Sequence, residues 1–448
     1  MTNLLNYIVL LLSLIVLIGY FNEKISKLTY EIALMIYASV IGAVLAFIAA
    51  AFRDTTVSEL LYEIRVFDLE DFLMKGVLCF MLFAGSCHMK LRDFKRLMRP
   101  VGVLAVLATF LGAVFYGLLF FAVSSLLGLS FSLPMCLMFG SIVAPTDPIA
   151  ATSILNKFGL PGDISFVIEG ESLLNDGVGV ALFVCFSGMV TKEAEGGFFT
   201  VLFREILGAV VIGAVVTVIL FQLFSRTKDS RRKIFISLLS VSLAYFLCEK
   251  LECSGAIASV VCGVLYANLI ELRRFPREIV RLGGNFSSHR FGLQGRPNQF
   301  LKEKEKGEIP ELSEFEGFWE ILDNLLNSIL YVILGFSFVR ILQMPNVILL
   351  SVFAILCNLL ARSGSLFFST FLIGPLPDNY DRKSFVKLLT WGGLRGGLSI
   401  ALAMSTNSML PDEIYHIVLG CTYAIVFFTT VVQGLTMRKV YERIQNRN

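Results

Sequence analysis

The sequence predicts an all-α protein that crosses a membrane many times. Of the 448 residues, 56% are hydrophobic and only 16% are charged, whereas a soluble domain carries roughly 25% charged residues. Apolar stretches of about 20 residues, the length that spans a hydrocarbon core, recur along the whole chain. We predict about thirteen transmembrane helices, at residues 4–20, 30–51, 72–88, 101–124, 132–154, 165–190, 204–224, 233–249, 254–270, 319–341, 346–371, 385–406 and 414–435.

Basic residues cluster in alternate loops, and this pattern orients the chain. Lys and Arg crowd the segments before spans four and eight and the C-terminal tail at 438–448, while the loops at 125–131 and 407–413 contain neither. By the positive-inside rule the basic segments are cytoplasmic and the N-terminus lies outside. The longest loop, 271–318, is then a solvated cytoplasmic connector, with a regulatory or anionic-lipid contact as the alternative.

Two of the predicted spans are interrupted by residues that break helices. Span five contains Pro145-Thr146-Asp147-Pro148, and span twelve contains Gly392-Gly393-Leu394-Arg395-Gly396-Gly397. Each is the fifth element of one half of the chain, if spans one to six and eight to thirteen form inverted repeats joined by span seven. Paired interruptions at corresponding positions indicate the midplane binding site of a transporter.

The interruption in span five brings a carboxylate and free backbone groups together. Pro145 and Pro148 lack an amide hydrogen, so the helix around Thr146 and Asp147 should kink or unwind. Broken backbone at membrane depth is tolerated where it lines a cavity or is buried in protein. Freed carbonyls, the Thr146 hydroxyl and the Asp147 carboxylate could then bind a cation; the alternative is a kinked packing helix with Asp147 in a local hydrogen bond.

Span six carries a polar face inside an apolar segment. At about 100° per residue, Glu171, Ser172, Asn175 and Asp176 occupy an arc of roughly 140°, and Glu169 points elsewhere, nearer the cytoplasmic end. Asp176 lies roughly 18 Å into its span at 1.5 Å per residue, close to the midplane. A carboxylate at that depth is costly and by default faces a pathway or a partner.

Two arginines also lie in apolar surroundings, Arg362 in span eleven and Arg395 in span twelve. An isolated guanidinium in lipid is implausible, so each should pair with a carboxylate such as Glu171 or Glu169. We interpret them as structural counter-ions, because arginine hardly deprotonates and is unsuited to carrying a transported proton.

The residue types favour a small hard cation. Carboxylate, hydroxyl and carbonyl oxygens suit such an ion, and the sequence has no Cys or His cluster for a soft metal and no sign of a cofactor. A desolvated Asp can hold either a proton or Na⁺ but resists holding both, so competition at Asp176 would give exchange. K⁺/H⁺ exchange, a gated cation channel and a membrane-embedded enzyme using Asp147 and Asp176 are the alternatives. Membrane lipids are the expected surroundings, and no nucleic-acid partner is expected.

At these residues the sequence resembles the monovalent cation:proton antiporters of the NhaP and Na⁺/H⁺ exchanger type. The resemblance extends along nearly the whole chain, and its motifs keep the family's order and spacing. These motifs are Thr146-Asp147-Pro148 in span five, Glu171-Ser172-x-x-Asn175-Asp176 in span six, Ala361-Arg362-Ser363 in span eleven and Gly392-Gly393-Leu394-Arg395-Gly396 in span twelve.

The resemblance implies an architecture and an assembly. It implies a homodimer in a bacterial inner membrane, in which broken helices five and twelve cross in the core beside helix six. Dimerisation-type helices would lie in 1–100 and in 191–343, and core helices in 101–190 and in 344–437. The segment 438–448 would be a short cytoplasmic tail, without the large regulatory domain of the eukaryotic exchangers.

The resemblance also implies a role for each residue of the site. Asp176 would be the exchanging carboxylate. Its companions in binding Na⁺ or Li⁺ would be Asp147, Thr146, Ser172 and Asn175. Glu171 would be a further ligand or an arginine partner. The pair Asn175-Asp176 implies electroneutral exchange of one cation for one proton.

Overall fold

The computed structural model describes residues 2–52, 71–87, 89, 91–147, 151–152, 155, 159–192, 197–283, 310–338, 345–374, 376 and 380–445. Within these residues the chain forms helices, turns and short connections, and no strand. Pro148 and the middle of the predicted cytoplasmic loop, 284–309, lie outside the described residues.

Fourteen helices, some containing a wider π-helical turn, account for most of the described chain. They are α1 (Thr2–Phe21, continuing through Asn22–Ser26), α2 (Tyr30–Phe52), α3 (Asp71–Val77 and Leu78–Ser86), α4 (Leu91–Gly102, Val103–Ala108 and Thr109–Leu126), α5 (Leu133–Val143), α6 (Gly162–Thr191), α7 (Phe198–Arg226), α8 (Ser230–Lys250), α9 (Gly255–Gly283), α10 (Pro310–Phe338), α11 (Pro345–Ile373), α12 (Arg382–Gly392), α13 (Gly397–Ser405) and α14 (Asp412–Phe427, Phe428–Gln433 and Gly434–Gln445).

The helical membrane fold predicted from the sequence is confirmed. Eight helices in the described residues are long and apolar enough to cross a membrane, and α5 and the segment Gly255–Ile270 are shorter apolar helices. Each of the predicted spans overlaps at least one helix of the structure. The chain is therefore an integral, multi-pass membrane protein, while the number of crossings and their orientation remain predictions.

Both predicted interruptions are present, and they touch each other. Helix α5 ends at Val143, just before Pro145, which has no amide hydrogen to continue the helical hydrogen bonds. Residues 393–396 separate α12 from α13. The amide of Asp147 donates a hydrogen bond to the carbonyl of Leu394 (2.8 Å). The two breaks therefore satisfy part of each other's exposed backbone.

Packing gathers the helices into two neighbouring groups. Helices α4, α5, α6, α11, α13 and α14 pack around the breaks, whereas α7, α8 and α9 pack together against α3 and the first half of α10. Helix α10 also runs along α2. Close approach within the first group requires glycine at position 140, since a β-carbon there would lie 2.0 Å from the carbonyl oxygen of Ala113. The two breaks therefore lie among the packed helices of the first group.

Candidate cation site

Asp147 and Asp176 line the same cavity, although they come from different helices. Both side chains are partly buried. The cavity has an empty volume of about 630 Å³, including the part open to solvent. Its polar lining comes from α6, α10, α13 and the break after α5, and consists of Thr146, Asp147, Asp176, Asp323, Asn327 and Ser399. Apart from backbone groups, the remaining lining is apolar, so the two acids lie in one cavity with largely apolar walls.

Asn175 holds the break in α5 against α6. Its side-chain nitrogen donates to the Thr146 hydroxyl (2.8 Å), and its side-chain oxygen accepts from the Thr146 amide (3.2 Å). The Thr146 hydroxyl also lies 2.8 Å from the hydroxyl of Ser172. Asn175 and Ser172 are buried and do not line the cavity. The sequence placed both among the cation ligands; in the structure they hydrogen-bond to Thr146, and their role as ligands stays a prediction.

Glu171 is engaged in a buried ion pair with Arg362. The Arg362 Nη1 atom lies 2.6 Å from the Glu171 Oε1 atom, and the side chains are 5% and 1% exposed. Glu171 does not line the cavity that contains Asp147 and Asp176. Of the two roles expected for it, cation ligand or arginine partner, the geometry favours the second. Glu169 accepts a hydrogen bond from Ser165 on its own helix (3.0 Å).

Arg395 differs from the sequence expectation, because its hydrogen bonds go to neutral oxygens. It donates to the carbonyl oxygens of Ala144 and Pro145 and to the side-chain oxygen of Asn358 (3.0 Å). The nearby acid Glu171 is already bound to Arg362, and the break in α5 supplies carbonyls that lack a helical partner. The guanidinium therefore binds two of the carbonyls at the start of the α5 break, those of Ala144 and Pro145.

The first comparison with known proteins identifies the family. The model of the family described as "sodium/hydrogen exchanger, transmembrane" matches residues 9–291 and 293–443. The chain belongs to the sodium/hydrogen exchanger family. The resemblance drawn from the motifs is thereby confirmed.

Individual relatives of this exchanger-family chain include named transporters. The Na⁺/H⁺ antiporter NhaP of Pseudomonas aeruginosa is 27% identical over 98% of this chain and 97% of its own length. The Na⁺/H⁺ antiporter ApNhaP of Aphanothece halophytica is 26% identical over 94% and 76%. These relatives are transporters, so the expectation that the chain is a transporter and not an enzyme is confirmed.

A solved structure shares the fold of the exchanger-family chain. The sodium proton antiporter MjNhaP1 from Methanocaldococcus jannaschii at pH 8 superposes with a TM-score of 0.72, covering 99% of both chains at 17% sequence identity. At that identity the likeness concerns the fold.

Sequence reasoning missed the contribution of α10 to this exchanger-family site. The Tyr331 hydroxyl donates a hydrogen bond to the Asp147 Oδ2 atom (2.7 Å), and Asp323 and Asn327 line the cavity. The three residues are spaced four apart, so they share one helix face. A signal was available, because Asp323 is a carboxylate within span ten and the rule applied to Asp176 applies to it equally.

Replacing Tyr331 with Phe tests whether the hydroxyl positions Asp147. Hydrogen bonds to charged groups contribute about 1.5–3 kcal/mol. We expect Tyr331→Phe to raise the Na⁺ concentration for half-maximal exchange several-fold, because Asp147 loses the bond that fixes its carboxylate. The measurement is the initial rate of exchange in vesicles over a series of Na⁺ concentrations.

The matched control is Tyr266→Phe. The Tyr266 hydroxyl is buried in the group formed by α7, α8 and α9, and Tyr266 does not line the cavity that contains Asp147. The same chemical change at that position should leave the Na⁺ dependence unaltered. An equal shift in both variants, or no shift in Tyr331→Phe, contradicts the positioning role.

Proposed function

We propose that this protein exchanges Na⁺ for H⁺ across the membrane at Asp176. The observation that carries the proposal is the meeting of Asp147 and Asp176 in one cavity, at the point where two broken helices touch. Isolated carboxylates are costly in a membrane interior, and a proton or a bound cation relieves that cost. Relatives named Na⁺/H⁺ antiporters support Na⁺ as the cation and H⁺ as its exchange partner.

The proposal gives each polar residue a distinct task. Asp176 holds either H⁺ or Na⁺, and Asp147 supplies a second negative charge beside it. Thr146, a polar uncharged residue of the α5 break, also lines the cavity and supplies a hydroxyl oxygen. Carboxylate and hydroxyl oxygens are hard ligands, as Na⁺ and Li⁺ require. The described residues contain no group of three or more His, Cys, Asp or Glu that could hold a metal ion.

Buried charges support an electroneutral cycle. Glu171 and Arg362 cancel as an ion pair, and we take the charges of Arg395, Asp147 and Asp323 to stay the same throughout the cycle. The remaining charge on Asp176 is neutralised by one proton or by one Na⁺. The site therefore carries the same net charge when it holds Na⁺ as when it holds H⁺, which agrees with one-for-one exchange.

The exchange requires access from one side of the membrane at a time. We propose that helices α4–α6 and α11–α14 move as a core against α1–α3 and α7–α10, as the predicted division at 1–100, 101–190, 191–343 and 344–437 implies. The packing of α4, α5, α6, α11, α13 and α14 around the breaks supports this division. The basic loops would face the cytoplasm of a bacterial cell, with the N-terminus outside, and two chains would form a homodimer.

Everted membrane vesicles with a trapped pH dye test the function directly. After acid loading, addition of Na⁺ or Li⁺ should dissipate the pH gradient, and vesicles without the protein should keep it. Dissipation by K⁺ with no response to Na⁺ would establish the K⁺/H⁺ alternative. Entry of ²²Na⁺ without any movement of protons would establish a channel and refute exchange.

The proposed electroneutral stoichiometry is tested separately, in reconstituted liposomes. Valinomycin with K⁺ sets the membrane voltage, once K⁺ itself is known not to be transported. One-for-one exchange moves no net charge, so its rate should stay the same when the voltage is clamped at zero or at a negative value. A steep dependence of the rate on voltage would refute the stoichiometry and leave the exchange function standing.

A further inference from the structure

Helix α10 forms a polar wall of the cavity. Asp323 and Asn327 line the cavity together with Asp147 and Asp176. Asp323 is close enough to Asp147 for their charges to interact. The roles proposed above use the contact of Tyr331 with Asp147 but leave Asp323 and Asn327 without a task.

Asn327 presents an oxygen that lacks a donor. Its side-chain nitrogen donates to the Asp323 Oδ1 atom and to the Asp323 carbonyl oxygen, both at 3.0 Å. These bonds fix the orientation of the amide. The amide oxygen, Oδ1, has no hydrogen-bond partner among the described residues, and the residue is only 4% exposed. A buried acceptor left without a donor is energetically costly, so it indicates a ligand that the oxygen can bind.

Ser399 provides a second oxygen of the same kind. It lies in the first turn of α13, directly after the break in span twelve, and lines the same cavity. Its hydroxyl is buried without a partner among the described residues, and the residue is 1% exposed. Unpartnered oxygens from α10 and α13 therefore occur in one cavity, beside a carboxylate.

The donor set suits a monovalent cation. One carboxylate, one amide oxygen and one hydroxyl are hard ligands that carry a single negative charge. A cation bound there would satisfy both oxygens and would also reduce the repulsion between Asp323 and Asp147. Water could satisfy the oxygens but would not offset that repulsion.

We propose that Asp323, Asn327 and Ser399 form a second cation site, the α10 site, where Na⁺ binds before it reaches Asp176. This inference rests on the proposed Na⁺/H⁺ exchange and adds a binding step to it. The α10 site raises the local concentration of Na⁺ at Asp176 and so sets the apparent affinity of the exchanger.

Equilibrium binding separates the α10 site from Asp176. Purified full-length protein in detergent would be titrated with ²²Na⁺ in a scintillation proximity assay, as wild type, Asp176→Asn, Asp323→Asn and the double variant. We expect Asp176→Asn to keep part of the specific binding and the double variant to lose it. Complete loss of binding in Asp176→Asn, or equal binding in Asp176→Asn and the double variant, would overturn the proposal and mean that the oxygens serve water only.

The same experiment keeps the two proposals apart. Residual binding in Asp176→Asn that depends on Asp323 establishes the α10 site even if wild-type vesicles show no exchange, in which case the proposed function fails alone. Exchange in wild-type vesicles without residual binding leaves the function intact and removes the α10 site. Gel filtration of each variant shows that the protein measured is folded.

Exchange kinetics give an independent readout with a matched control. Asp323→Asn should raise the KM for Na⁺ about tenfold, the factor that corresponds to 1.4 kcal/mol of binding, and change the maximal rate by less than about twofold, as expected when uniform binding is lost. Glu320→Gln removes an exposed carboxylate from the same helix and should leave KM unaltered. An unaltered KM in Asp323→Asn, or an equal rise in both variants, contradicts the α10 site.

Discussion

Replacing Asp176 with Asn should abolish exchange, leaving the rate at that of vesicles without the protein. Asparagine has the size and shape of aspartate but carries no charge at neutral pH, so it can neither release a proton nor balance a bound Na⁺. Because Asp176 is only partly buried and faces a cavity, the neutral amide should leave the fold intact. The measurement is Na⁺-driven dissipation of a pH gradient in everted vesicles, with protein content determined by blotting.

Asp163→Asn is the matched control for this loss. Asp163 lies in the first turn of the same helix, α6, where it pairs with the exposed Arg96. The identical chemical change there removes a surface ion pair, which contributes about 1 kcal/mol or less, so exchange should continue at the wild-type rate. Substantial exchange by Asp176→Asn would refute Asp176 as the exchanging group, and loss of activity in both variants would point to a general defect of α6.

Breaking the pair between Glu171 and Arg362 should produce the largest loss of stability. Removing one member of a buried ion pair leaves the other charge without a partner, which costs about 3–5 kcal/mol. We expect Arg362→Met to lower the free energy of unfolding by about that amount, because Glu171 is 1% exposed and cannot reach water. Unfolding of purified protein in mixed micelles, followed by intrinsic fluorescence during denaturant titration, gives the value.

A double variant separates the pair's structural role from a role in transport. Glu171→Gln combined with Arg362→Met removes both charges and should recover most of the stability lost by Arg362→Met alone. If the double variant is stable and still exchanges Na⁺, the pair serves only to hold α6 against α11. A double variant no more stable than Arg362→Met would contradict the ion pair as the cause of the loss.

The sequence predicted the helices and the breaks because both depend on local chemistry. A helix that spans a bilayer has to be apolar over its length, so hydropathy alone identifies it. Pro145 lacks an amide hydrogen, so it ends α5 in any surroundings. The candidate acids were found for a similar reason: a carboxylate such as Asp176 is rare inside an apolar span. These signals require no knowledge of which helices are neighbours.

The hydrogen-bond partners within the site depend on neighbours that the sequence does not specify. The side chain of Asn175 could bind a cation or a backbone group, and only the position of Thr146 beside it decides between them. Only carboxylates were expected as partners of Arg395, and the proximity of Ala144 and Pro145 makes carbonyl oxygens its partners. The contribution of α10 could have been predicted, because Asp323, like Asp176, is a carboxylate inside an apolar span. No recognisable motif surrounds Asp323, however.

The position of Arg395 has a consequence for the moments when no transported ion is bound. Its guanidinium binds the carbonyls of Ala144 and Pro145. Because this positive group is part of a side chain, it cannot diffuse away from the site. A broken helix whose carbonyls were bound only by the passing cation would lose those contacts at every release. Here the carbonyls of Ala144 and Pro145 have a partner that belongs to the protein itself, so these contacts do not depend on the transported ion.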